Sequence, residues 1–243
     1  MSGPLIVARD GTTTRARLNR PDKGNALSPE LVEALHAATL AAARDGTRLF
    51  VVEGEGRHLC TGFDLQGLED MTDGDLLLRL VRIEAMLDAL WSAPFVTLSV
   101  GTGRVTGAGA DIFAVCDRRV VVEGAQFAFP GAAFGIVLGT RRLAERVGAD
   151  RARDILRAGR VVPHTEAEAI GLATHHLPAD AVEAEIVAAG QAAARLDADT
   201  VAAIHRLTRR DEPDRDLAAL VRSAARPGLK DRIVAYRVKT LAR

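Results

Sequence analysis

The stretch from Phe95 to Asp117 most restricts what this chain can fold into. The apolar run Phe95-Val-Thr-Leu-Ser-Val100 predicts a buried strand. Gly103-Arg-Val-Thr-Gly-Ala-Gly-Ala-Asp111 follows, and its glycines open onto Ile112-Phe-Ala-Val-Cys-Asp117, which reads as a helix. A strand, a glycine-rich turn and a helix start together gather unpaired backbone N–H groups around one point. The helix dipole faces the same way, so that point suits developing negative charge. Asp111 falls about one turn into the helix, close enough to act on a group bound there.

The remaining signals repeat the same alternation. Leu5-Ile-Val-Ala-Arg9 and Thr12 to Leu18 flank Asp10-Gly11, a hairpin turn pair. Asn19 to Asn25 is a loop by its Pro, Gly and Asn content. Ser28 caps a helix with Pro29 at its first position and Leu31, Leu35, Ala38 and Ala42 on one face; Arg44-Asp-Gly46 stops it. Leu49 to Val52 and Arg119 to Val122 read as strands, with a helix from Asp73 to Ala93 ended by Pro94. Thr140 to Val147 and Asp150 to Ala158 read as helices joined at Gly148; Thr165 is placed to cap another running to Ile170. A long helix is predicted from Ala179 to about Leu196, and the tail from Asp199 is mostly helical, broken at Pro213 and Pro227-Gly228. The expectation is an α/β core over residues 1–195 and a helical segment over 196–243.

Composition narrows the function. Lys plus Arg and Asp plus Glu both number 32, a formal net charge of +0, which argues against a nucleic-acid or membrane-surface binder. No apolar run is long enough to span a bilayer. The N-terminus lacks a basic start followed by an apolar stretch, so no signal peptide is expected and a cytoplasmic location is the default. Cys60 and Cys116 read as buried thiols, and His164, His175 and His176 lack metal-ligand spacing, so no metal site is expected. Arg141-Arg142 and Arg209-Arg210 read as solvated faces or subunit contacts.

The order of these pieces resembles the crotonase, or enoyl-CoA hydratase/isomerase, superfamily. Leu18-Asn-Arg-Pro-Asp-Lys-Gly-Asn-Ala-Leu-Ser28 is similar to the family's first loop, and His58-Leu-Cys-Thr-Gly-Phe-Asp-Leu65 to its second. Gly107 to Asp117 resembles its glycine-rich helix start, Gln126-Phe-Ala-Phe-Pro130 the strand after it, and Gly159 to Leu172 a later helix. The resemblance implies a spiral of β-β-α units with a C-terminal helical segment used for trimer contacts, assembled as a homotrimer or a hexamer built as a dimer of trimers. It implies an acyl-CoA thioester as substrate, with coenzyme A entering as part of that substrate and no separate cofactor. Two backbone N–H groups hold the thioester oxygen in the family; here those are assigned to Thr61 and Ala108. Substrate contacts are expected from Lys23, Ala26, Leu27, Gly62, Phe63, Asp64, Leu65, Gly107, Pro130 and Gly131. Arg20 joins Lys23 as a candidate for the CoA phosphates, and Tyr236 and Lys239 as candidates for the border of the CoA site. His58 is taken as structural or at the pocket edge, and a capping role competes with pocket lining for Asp64.

Two departures from the family pattern matter. Family hydratases carry two glutamates sharing a water; the first falls on Asp111 and the second on Gly131, which has no side chain to transfer a proton. Water addition needs one group to activate water and one to protonate carbon. The resemblance therefore implies an acyl-CoA enzyme, a lyase or isomerase of this family, with Asp111 as its acid/base and efficient hydration disfavoured; isomerisation, decarboxylation and thioester hydrolysis all stay open. The alternative is a catalytically silent member that binds an acyl-CoA or a partner subunit.

Overall fold

The computed structural model describes residues 3–210 and 212–241. The chain begins with β1 (Leu5–Asp10), β2 (Thr13–Leu18), α1 (Pro29–Ala42), β3 (Leu49–Gly54) and α2 (Asp73–Trp91). It continues through β4 (Val96–Gly101), β5 (Arg104–Thr106), α3 (Ala108–Val115), β6 (Arg118–Val122), β7 (Gln126–Ala128), α4 (Thr140–Val147) and α5 (Ala149–Ala158). After β8 (Val162–Pro163), α6 (His164–Ala169) and β9 (His175–Leu177) come α7 (Val182–Ala193), α8 (Ala198–Thr208), α9 (Pro213–Ala224) and α10 (Leu229–Leu241).

Six strands form one sheet in the order β1-β2-β3-β4-β6-β9, antiparallel at the β1/β2 hairpin and parallel elsewhere. A second sheet, β5-β7-β8, lies beside it, and Cys60 bridges Val105 in parallel to extend it. Each turn of the chain thus lays one strand in the large sheet, one segment in the small sheet, then a helix: β3, Cys60 and α2; β4, β5 and α3; β6, β7 and α4. This is the β-β-α spiral expected. It explains why Leu49-Phe-Val-Val52 is apolar at every position, since the strand is covered on both faces and all four residues are buried.

Local chemistry sets the element ends. The Ser28 hydroxyl accepts from the Leu31 amide with Pro29 at the first position of α1, and Thr72 and Asp75 form a reciprocal capping box on α2. Three expectations need correction. Thr165 lies inside the first turn of α6 and caps nothing, because β8 pairs with β7 up to extended Pro163 and the helix starts at His164. The helix predicted from Ala179 begins as a 3-10 turn over Ala179–Ala181 and becomes α-helical only over Val182–Ala193. Strand β9 was not expected, since His175-His-Leu177 is short and polar; it is held by pairing with Val120-Val-Val122. The C-terminal helices pack back on the core. Leu220 and Ala224 of α9 and Leu229 and Ile233 of α10 form one buried cluster with Leu68, Leu76 and Leu80.

Candidate active site

Two glycine turns meet where the β3/α2 and β4/β5/α3 units pack. In the first, Gly62 sits at φ +92°, a left-handed value that glycine adopts without a Cβ clash. The Leu27 amide donates to the Gly62 carbonyl at 2.8 Å and the Asp64 amide to the Leu27 carbonyl at 3.3 Å, a parallel bridge that leaves the Phe63 amide outside the ladder. Arg79 of α2 fixes this loop by donating to the carbonyls of Leu27 (3.2 Å) and Asp64 (2.8 Å) while its guanidinium lies 4.0 Å over the Phe63 ring. In the second turn Gly107 sits at φ +55°, its amide donating to the Ala128 carbonyl at 2.8 Å. The amides of Ala110 and Asp111 turn back to the Gly107 carbonyl, which leaves the Ala108 amide at the open N-terminus of α3. The turns touch: a Cβ on Gly62 would stand 2.7 Å from the Thr106 carbonyl and 3.6 Å from the Ala108 nitrogen.

This geometry corrects the assignment of Thr61. Its amide donates to the Gly24 carbonyl at 3.0 Å, and its hydroxyl reaches the same oxygen at 3.1 Å. The amide is occupied because the first loop folds back over the 60–62 segment. Among the described residues, the amides of Phe63 and Ala108 have no acceptor. Phe63 therefore supplies the open donor that the sequence reading gave to Thr61, two residues earlier in the same turn.

Asp111 stands one turn into α3 and is 5% exposed. Its Oδ1 lies against the backbone of Gly139, so closely that a Cβ there would come within 2.0 Å. Burial pushes its carboxyl well above the ordinary carboxylate range; the charge of Glu84 adds to the shift and Arg142 opposes it. Glu84, on α2, is itself buried and raised by burial, with Arg142 again opposing. Arg142 corrects the expectation of a solvated arginine pair: its side chain is 1% exposed, 2.8 Å from Glu84, 3.2 Å from Asp88 and 3.5 Å from Asp216. Arg209 is likewise inside, paired with Asp117 and lying over the Trp91 ring.

Both turns and Asp111 open into one chamber of about 580 Å3. Of the predicted site residues, Thr61, Gly62, Phe63, Leu65, Gly107, Ala108, Asp111, Pro130, Gly131 and Tyr236 line it. Gly131 is the second residue of a 3-10 turn over Pro130–Phe134, and a Cβ built on it would meet nothing closer than the Ile136 carbonyl at 3.4 Å. The glycine therefore leaves room at the position where the resemblance implies a second acid. Leu27 lines a separate groove with Pro29, Arg79 and Arg82. Lys23, Ala26, Asp64 and Lys239 line neither space. The Asp64 carboxylate caps the Gln66 amide at 3.0 Å and pairs with Arg20 at 2.7 Å, so both are structural in this loop. Nδ1 of His58 accepts from the Arg104 amide at 2.9 Å, a structural role. Sequence reasoning missed Leu80, Ile83, Leu138 and Leu156 in the chamber wall. Helical periodicity marked Leu80 only as buried, and nothing local distinguishes a core-facing from a cavity-facing aliphatic.

With fold and site described, comparison with known proteins places the chain. A family model described as enoyl-CoA hydratase/isomerase matches residues 10–224. The chain belongs to the enoyl-CoA hydratase/isomerase family, within the crotonase superfamily. The crystal structure of a Bordetella parapertussis protein assigned to the enoyl-CoA hydratases/isomerases superposes with a TM-score of 0.95 and 46% identity, over 97% of this chain and 98% of that one. An enoyl-CoA hydratase/isomerase from Xanthobacter autotrophicus Py2 gives 0.87 and 26%, over 98% and 93%. Mycobacterium leprae echA6, which carries the name of an enoyl-CoA hydratase, is 35% identical over 158 residues, 62% of this chain and 62% of that one. The match thus spans under two-thirds of that relative's length. No described helix is long and apolar enough to cross a membrane.

Proposed function

We propose that this protein is an acyl-CoA enzyme in which the Phe63 and Ala108 amides hold a thioester oxygen and Asp111 exchanges the proton. One observation carries the reading: two amides without acceptors and one buried carboxyl share a single chamber. A thioester carbonyl between the two N–H groups gathers negative charge as its α-carbon becomes an enolate. Preorganised donors aimed at such an oxygen contribute on the order of 3 kcal/mol each. A carboxyl whose proton affinity is raised by burial is suited to exchange a proton with carbon, as acid in one direction and as conjugate base in the other. Gly131 offers no second proton carrier, so the reading favours a one-acid proton transfer or bond cleavage over efficient hydration. The same glycine supports the second reading, a silent acyl-CoA binder.

Asp111→Asn separates these. The variant keeps its affinity for CoA thioesters and loses at least 100-fold in turnover, roughly the contribution of a positioned acid/base. Turnover across a panel of saturated and unsaturated CoA esters is followed by absorbance and mass spectrometry, and binding by calorimetry. Full activity of the variant would refute the role of Asp111. Binding without turnover in the unmodified protein would establish the silent reading.

A further inference from the structure

The charge on the chamber wall is unequal. Three arginines line it, Arg104, Arg153 and Arg157, against one acid, Asp111. Arg153 and Arg157 are four residues apart on α5 and so share a face, with Leu156 beside them in the same wall. Arg104 and Thr106 share the other face of β5, since Val105 between them points into the core. Arg153 pairs with exposed Asp150. The side chains of Arg104 and Arg157 make no hydrogen bond or ion pair with any described residue.

We infer that this wall receives an anionic group on the substrate, a carboxylate carried by the acyl part of the thioester. The inference rests on the acyl-CoA reading above and narrows its substrate class. The rest of the chamber is mostly apolar, lined by Phe129, Phe134, Ile136 and Leu138 among others, and would suit a plain hydrocarbon chain without any arginine. Guanidinium groups bind carboxylates through paired N–H donors, so free arginines in an apolar chamber select a chain that ends in charge. Phosphates of CoA would present the same chemistry. Lys23, expected beside the CoA phosphates, does not line this chamber, nor do the first-loop residues Ala26 and Leu27, whereas Gly131 and Asp111 do. Helix α5 packs on the Pro130–Phe134 turn, on the side of the reacting atoms.

The test uses dicarboxylic CoA esters from succinyl to suberyl, each matched with the monocarboxylic ester of equal length, and free CoA. Dissociation constants are measured by calorimetry for the unmodified protein and for Arg104→Gln/Arg157→Gln. At one chain length the unmodified protein binds the dicarboxylic ester roughly tenfold more tightly than its partner, the effect of one charge-assisted contact. The double variant loses that preference while its affinity for the monocarboxylic esters and free CoA stays within about twofold. Both arginines are exposed, so the fold survives, which circular dichroism checks. Equal binding of matched esters at every length overturns the inference and leaves the acyl-CoA reading intact. Equal loss of all esters and free CoA in the double variant also overturns it, assigning the arginines to the CoA phosphates. Failure of the unmodified protein to bind any CoA ester overturns the acyl-CoA reading itself.

Discussion

At the scale of single residues, Asp111 links chemistry to stability. Its carboxyl titrates above its ordinary value of 3.8 because folding takes it out of water beside Glu84, with only Arg142 in opposition. Below that ordinary value both folded and unfolded chains hold the proton, and stability is untouched. As pH rises past it, the unfolded chain releases the proton and the native chain does not, so native stability falls until the raised value is passed. Asparagine keeps the shape and removes the titration. Asp111→Asn should therefore match the parent's stability near pH 4 and exceed it increasingly towards neutrality, by about 0.5–2 kcal/mol, the range of ordinary stabilising substitutions. Calorimetric melting across this pH range decides it, and a flat difference would contradict the assignment. The same residue shows what the sequence could disclose. Its place one turn into a glycine-opened helix was legible. The amide it works with was not, because whether Thr61 or Phe63 keeps a free N–H depends on Gly24 and Leu27, which fold over that turn from another loop.

At the scale of elements, α2 ties the site together. Its first half pins the Phe63 loop through Arg79, and its second half places Glu84 behind Asp111 against Arg142 of α4. The elements themselves were largely readable, because Ser28-Pro29 and Pro94 are local signals. The charge network was not. Glu84 and Arg142 are 58 positions apart, and adjacent arginines read as a solvated pair when nothing shows that Arg142 turns inward. Removing one member of a buried ion pair leaves an uncompensated charge, at a cost of about 3–5 kcal/mol, whereas replacing both with apolar residues is often neutral. Arg142→Met should lower Tm sharply, and Glu84→Met with Arg142→Met should recover most of the loss in urea unfolding. A double variant as unstable as the single one would mean that Asp88 and Asp216, not Glu84, are the partners that matter.

At the scale of the whole molecule, the family likeness carries an expectation of trimers that one chain can support only through its surface. Isolated exposed aliphatics are ordinary, but aliphatics spaced along one helix face form a stripe. On α8, Ile204 and Leu207 are three residues apart and 46% and 87% exposed; on α10, Val234 and Val238 are four apart and 39% and 63% exposed. Both stripes lie on helices whose inner faces are already anchored, α8 by Val201 and α10 by Leu229 and Ile233. The outer faces are therefore free to meet another copy without disturbing the chamber wall that Ile233 and Tyr236 help to build. Light scattering on the purified protein should give three or six times the 25.8 kDa chain mass. Leu207→Glu with Val238→Glu should drive the mass towards a single chain while leaving the circular dichroism of the core unchanged, because a charge buried in an interface without a partner costs several kcal/mol. A monomeric unmodified protein would remove the stripes from the argument and leave the chamber complete within one chain.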